Sequence, residues 1–151
     1  MREAFGDLWK SDAYALCLTT NGTIKRNGHG VMGRGIAWQA TQRYPDIARL
    51  LGVGLTTSGN HVHMLITRED GRPIYSFPVK HMWDERADMN LIERSAHELV
   101  AEADLLDFPS IALPRPGCGN GGLKWEDVKP IIEPILDDRF VIVEYAPRAS
   151  S

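Results

Sequence analysis

Residues 114–125, Pro114-Arg115-Pro116-Gly117-Cys118-Gly119-Asn120-Gly121-Gly122-Leu123-Lys124-Trp125, decide the fold. Four glycines occupy six consecutive positions, Gly117 to Gly122, after the short apolar run Ser110–Leu113 and before a helical pattern over Trp125–Leu136. Glycine lets a backbone turn sharply and approach a ligand, and successive amide N–H groups followed by a helix start direct positive dipoles at an anion. A second window of this kind lies upstream. Asn27-Gly28-His29-Gly30-Val31-Met32-Gly33-Arg34-Gly35 follows an apolar run at Ala13–Thr19 and leads into a helical pattern at Ile36–Arg43. Together the windows hold eight of the 14 glycines. Either window alone reads as turn-making glycine. Two of them on one sheet edge also suit two adjacent phosphates, and the residues alone leave both readings open.

Working outward, the chain alternates between two periods. Short apolar or β-branched runs at Ala13–Thr19, His61–Thr67, Pro73–Phe77, Ser110–Leu113 and Arg139–Tyr145 predict strands. Helices are predicted over Ile36–Arg43, Asn90–Leu105 and Trp125–Leu136. The second carries Leu91, Ile92, Ala96, Leu99, Val100 and Ala103 on one face, with Asn90 as the expected N-cap and Glu93 three residues on. Pro134 removes an interior hydrogen bond from the third and should bend it. A hairpin is expected around Glu69-Asp70-Gly71-Arg72. Strands alternating with helices predict an α/β fold, a three-layer α/β/α domain with a mixed, mostly parallel central sheet and its ligand at the carboxyl ends of the strands. One domain over residues 1–147 is expected, with 148–151 a frayed tail.

Composition narrows the function. With 17 basic and 20 acidic residues the net charge is -3, so no bulk cationic charge attracts nucleic acid non-specifically. Cations are nonetheless concentrated locally. No Asp or Glu lies between Asp12 and Asp46, between Asp70 and Asp84, or between Asp107 and Glu126, and these windows hold both glycine loops and Lys80. Neither window ends in the Lys-Ser/Thr of a P-loop, and no Gly-x-Gly-x-x-Gly opens a dinucleotide-binding unit. His61 and His63 alternate along a strand without a carboxylate companion in sequence, so no metal and no cofactor are expected. Cys17 and Cys118 form no disulfide framework and read as reduced thiols. The segment Met1–Lys10 lacks the apolar core of a signal peptide, and the expectation is a cytoplasmic monomer with no membrane contact.

These residues resemble the macrodomain family over nearly the whole chain. The likeness runs from Gly6-Asp7-Leu8 through Asn27 and Gly30-Val31-Met32-Gly33-Arg34-Gly35-Ile36-Ala37 to Pro114–Trp125. The last two motifs are most similar to the branch that contains terminal ADP-ribose glycohydrolases and the antitoxin macrodomains that reverse DNA ADP-ribosylation. The resemblance implies ADP-ribose as ligand, with ADP-ribosylated DNA or protein as substrate. It assigns Asp7 and Leu8 to adenine, Asn27 to the distal ribose with Asn21 beside it, and Tyr145 to the adenine rim. The diphosphate falls to Gly30, Val31, Met32, Gly33, Gly35 and Ile36 in one loop and Gly117, Cys118, Gly119, Asn120, Gly121, Gly122 and Leu123 in the other.

It further implies that Lys80, in Ser76-Phe77-Pro78-Val79-Lys80, attacks the anomeric carbon of the distal ribose, which requires an amine with a free lone pair. Two departures matter. Gly121 stands where the terminal ADP-ribose glycohydrolases carry an aspartate, which points to a lysine-led reaction like that of the antitoxins. The link Asn21–Arg26 is longer than the family's compact Val-Asn-x-x-Asn. The expected function is an ADP-ribosyl hydrolase acting on a modified macromolecule. The alternatives are a non-catalytic ADP-ribose reader, an ADP-ribose 1''-phosphate phosphatase, and an unrelated nucleotide-binding α/β domain.

Overall fold

The computed structural model describes residues 1–145; the tail expected to fray lies outside them. Six strands and four helices follow in the order β1 (Arg2–Phe5), β2 (Ala15–Asn21), α1 (Gly35–Arg43), α2 (Ile47–Ser58), β3 (His63–Thr67), β4 (Pro73–Lys80), α3 (Met89–Leu106), β5 (Ile111–Pro114), α4 (Trp125–Ile132) and β6 (Phe140–Glu144). The sheet runs β1-β6-β5-β2-β4-β3, parallel throughout except for the β3–β4 hairpin. The interior strands β2 and β4 are buried on both faces, which is why they read as continuous apolar runs.

Alternation along β2 divides the core. Ala15 and Cys17 join Tyr75 and Phe77 under α3 and α4, whereas Leu16 and Leu18 join Ile74 under α1 and α2. Helices therefore cover both faces, as predicted. The chain grows to one side of β2 through β4 and then crosses to the other side through β5. That reversal opens a crevice beyond the carboxyl ends of the strands, where open α/β sheets bind ligands.

Four details differ from the sequence reading. β1 adds an edge strand whose residues are all exposed, so it has no apolar period to detect. α2 was not expected, because Gly52 and Gly54 weaken its helical pattern. The N-cap of α3 is Asp88, not Asn90: the Asp88 carboxylate accepts from the Asn90 N–H at 2.9 Å. α4 ends at Ile132, two residues before Pro134, since a proline ring there leaves no N–H for another helical turn. No helix among the described residues is long and apolar enough to cross a membrane.

Candidate functional site

A cleft of about 960 Å³ opens above the ends of β2, β4, β5 and β6. Its floor begins with an irregularity. The β2–β4 register holds Thr20 opposite Pro78 but Asn21 opposite Lys80, so Val79 is an extra residue on β4. Such a bulge bends the strand and re-aims its side chains, and Asn21 and Lys80 both line the cleft here. The Lys80 amine donates to the Trp83 carbonyl at 3.4 Å, and the Lys80 carbonyl accepts from Asn60 Nδ2 at 3.0 Å. Asn21 is tied at both ends of its amide, donating to the Val31 carbonyl and accepting from the Thr23 N–H, each at 3.0 Å.

Two glycine loops form the walls. Gly33 and Gly35 have φ of 63° and 64°, and this left-handed backbone delivers the chain into the first turn of α1, where no side chain caps the N–H groups. Opposite, the loop after β5 is pinned from behind. The Leu123 N–H donates to the Gly117 carbonyl at 3.0 Å and the Ala87 N–H to the Gly121 carbonyl at 2.9 Å. Gly117 is required twice over, by its φ of 75° and because a Cβ would lie 2.6 Å from Ile92 Cδ1. Gly119, with φ of 69°, has open space where a Cβ would stand.

The lining carries four cations, Arg34, Arg43, Lys80 and Arg115, against a single carboxylate, Asp7. This balance suits an anion. Arg115 is partly neutralised by Glu144 at 3.0 Å and Arg43 lies 4.7 Å above the Trp9 ring, so Arg34 and Lys80 are the cations with the fewest internal commitments. Asp7 caps a short 3-10 turn, its Oδ1 accepting from the Trp9 N–H at 3.0 Å. Trp9 itself is anchored by Gln39 at 2.9 Å, and Tyr145 stands exposed at the same end.

The cleft brings together most residues that the sequence nominated. Asp7, Leu8, Asn21, Met32, Gly33, Gly35, Ile36, Lys80, Gly117, Cys118, Gly119, Asn120, Gly121 and Tyr145 all line it. Five do not. Gly30 is buried against α2, its N–H donating to the Ala48 carbonyl at 2.8 Å, and a Cβ there would lie 2.6 Å from Leu51 Cδ2. Val31 uses its backbone to hold Thr23 and Asn21. Gly122 and Leu123 close the second loop from outside. Asn27 is exposed on a separate surface beside α2, its Oδ1 accepting from the His29 N–H. The backbone just after Asn27 holds it there: Gly28 packs on α2 at Gly52, whose missing Cβ would sit 1.8 Å from the Gly28 carbonyl oxygen.

Thr20 went unnoticed in the sequence. It is buried on the cleft floor and its Oγ1 has no hydrogen-bond partner among the described residues. A threonine inside a strand gives no sequence signal of this kind. Cys118 accompanies the second loop, and burial pushes its thiol above the ordinary range, which disfavours a thiolate nucleophile. His61 and His63 are engaged elsewhere, with Glu98 at 2.7 Å and the Gly59 carbonyl at 2.9 Å.

Comparison with known proteins agrees with this geometry. The Macro domain family matches residues 26–132. The macrodomain of Thermus aquaticus DarG superposes with a TM-score of 0.76 at 31% identity, covering 97% of each chain. That of Mycobacterium tuberculosis DarG gives 0.79 at 29% identity, covering 97% of this chain and 98% of the other. A Mycobacterium tuberculosis protein named DNA ADP-ribosyl glycohydrolase is 35% identical over 129 residues, 82% of this chain. The match spans 35% of that relative's length, so the likeness concerns one part of a larger protein. Sequence profile, topology and a cleft walled by two glycine loops agree, and the chain belongs to the macro domain family.

Proposed function

We propose that this chain hydrolyses an ADP-ribosyl bond and releases ADP-ribose from a modified macromolecule. The observation that carries the reading is the placement of Lys80 at the bulged end of β4, inside a cleft walled by two glycine loops. Similarity to relatives named DNA ADP-ribosyl glycohydrolase supports the same reaction and makes ADP-ribosylated DNA the first substrate to test, with ADP-ribosylated protein beside it.

In this reading the α1 N-terminus and the Gly117–Gly121 loop hold the diphosphate, each offering backbone N–H groups to phosphate oxygens. Asp7 takes the adenine amino group through the oxygen not committed to Trp9. Fixing adenine and diphosphate leaves the distal ribose at the Lys80 end, and such positioning lowers the barrier by removing orientational freedom in advance. The lone pair of Lys80 Nζ forms a bond to the anomeric carbon. The bond from that carbon to the macromolecule breaks, its electron pair passing to the leaving atom, which takes the proton that the newly bonded lysine nitrogen gives up. Water then adds to the anomeric carbon and the amine departs, regenerating lysine and free ADP-ribose. Asn27, outside the cleft, has no part in this scheme, and Gly121 supplies no carboxylate to assist.

The test is release of ADP-ribose from an ADP-ribosylated DNA oligonucleotide and from an ADP-ribosylated protein, with wild type and Lys80→Ala, beside calorimetric binding of ADP-ribose. Release that falls at least 100-fold in Lys80→Ala, roughly the scale of losing a nucleophile or proton-transfer group, is expected while ADP-ribose affinity persists. Binding without release by the wild type would make the domain a reader. Release unaffected by Lys80→Ala would remove the lysine from the mechanism.

A further inference from the structure

Residues 81–88 form the lip of the cleft beside Lys80, and they are braced on every side. His81 Nε2 and Asp88 Oδ2 lie 2.7 Å apart across the neck of the loop. On one flank the Trp83 N–H donates to Thr23 Oγ1 at 2.9 Å, and the Gly22 N–H donates to the His81 carbonyl at 3.1 Å. On the other, the Arg86 guanidinium donates to the Gly122 carbonyl at 2.9 Å, and the Ala87 N–H donates to the Gly121 carbonyl at the same distance. The lip is thus fixed between the segment after β2 and the second glycine loop.

A segment held this firmly nevertheless presents a large apolar ring to water. Trp83 is 57% exposed, and its neighbour Met82 is 46% exposed. Trp9 and Trp125 lie beneath the guanidinium groups of Arg43 and Arg115, at 4.7 and 5.0 Å; among the described residues the Trp83 ring carries no such cover. An indole presented on a rigid backbone is well suited to stacking, because little freedom remains to be lost on contact. Its location says what it meets. The Trp83 carbonyl accepts from the Lys80 amine at 3.4 Å, and Trp83 lines the cleft. On the reading given under Proposed function, the group joined to the distal ribose sits at this mouth.

Charge on the lip narrows the chemistry of that group. Asp84 and Glu85 are exposed next to Trp83, the one arginine of the lip, Arg86, is turned back onto the Gly122 carbonyl, and the chain as a whole has a net charge of -3. Carboxylates at the tip repel a phosphodiester backbone, so a nucleic-acid conjugate would be held here by the flat face of a base and not by its phosphates. We propose that Trp83 is the specificity-determining residue of the cleft: its indole stacks on the nucleobase that carries ADP-ribose, and this contact favours a nucleic-acid conjugate over one on a protein side chain. The inference rests on the hydrolase reading for the location of the conjugate but is tested separately from it.

The experiment uses a Lys80→Ala background, so that no conjugate is consumed, and adds Trp83→Ala or Trp83→Phe. Affinities are measured for free ADP-ribose, an ADP-ribosylated DNA oligonucleotide and an ADP-ribosylated protein, with a thermal melt of each variant. Trp83→Ala is expected to weaken the oligonucleotide conjugate roughly tenfold more than free ADP-ribose, the scale of one base–aromatic stack, and Trp83→Phe to restore most of it. An equal loss for all three ligands would make Trp83 part of the ADP-ribose site and overturn the proposal. So would a selective loss for the protein conjugate, or no loss at all. Absence of release by the wild-type chain would sink the hydrolase reading alone, because the binding comparison does not depend on turnover.

Discussion

Asn21 and Lys80 are partners across the bulged end of the β2–β4 pair. The amide of Asn21 is spent internally, on the Val31 carbonyl and the Thr23 N–H, so it acts as a brace that sets where the following loop leaves β2. That loop continues into Met32–Gly35, the near wall of the cleft. Asn21→Ala removes both bonds and leaves the Val31 carbonyl without this donor. A destabilisation of about 1–2 kcal/mol is expected from the two hydrogen bonds, together with weaker ADP-ribose binding. Urea unfolding and calorimetry on the same preparation check both; unchanged binding at reduced stability would show that the brace does not reach the wall.

Thr20 offers a sharper test because stability and binding should move apart. Its buried Oγ1 has no partner among the described residues. Thr20→Val replaces the hydroxyl with a methyl of similar size, which in the unliganded protein removes an unsatisfied polar group and should leave stability unchanged or slightly raised. If a ligand oxygen satisfies that hydroxyl, ADP-ribose affinity falls by roughly 3- to 10-fold, the worth of one net hydrogen bond. A melting temperature that drops while affinity holds would instead mark the hydroxyl as structural.

Gly117 and Gly119 belong to one loop but answer to different demands. A side chain at Gly117 meets Ile92 and must also adopt positive φ, so Gly117→Ala should destabilise by about 2–3 kcal/mol through overpacking and backbone strain. A side chain at Gly119 meets nothing, and only the backbone term of about 1 kcal/mol applies. Gly119→Ala is therefore expected to remain folded while losing ADP-ribose affinity, if its backbone approaches a phosphate. Denaturant midpoints separate the two variants, and equal midpoints would contradict the packing argument.

Most of this architecture was legible because it follows from periodicity. β2 and β4 are buried on both faces and announce themselves as apolar runs, and the face of α3 repeats every three to four residues. β1 was illegible for the opposite reason: a fully exposed edge strand is held by backbone pairing to β6, which any sequence can make. α2 hid because Gly52 looks like a helix breaker, yet it is there to let the Gly28 carbonyl approach. That same contact explains the division within the first glycine window. Gly33 and Gly35 face the cleft, whereas Gly28 and Gly30 serve helix packing, a distinction that spacing alone does not carry. The displacement of Asn27 follows from it, since Gly28, the next residue, is held on α2. Thr20 and the braced lip depend on contacts between segments far apart in the chain, which no local pattern encodes.

The lip also predicts a pH dependence. The hydrogen bond from His81 holds the Asp88 carboxyl below the usual carboxylate range, helped by the Asn90 N–H that it caps and opposed by partial burial. A carboxylate whose folded pKa is depressed contributes stability that is fully present above its unfolded pKa of about 3.9 and is lost as pH falls through the folded value. Wild type should therefore exceed Asp88→Asn in stability at neutral pH, with the difference shrinking below about pH 4. Asp88→Ala should be weaker still at neutral pH, by about 1 kcal/mol for the lost cap on α3. Urea midpoints from pH 3 to 7 measure this. A gap between wild type and Asp88→Asn that stays constant across the range would show that the ionised carboxylate is not what closes the neck of the lip.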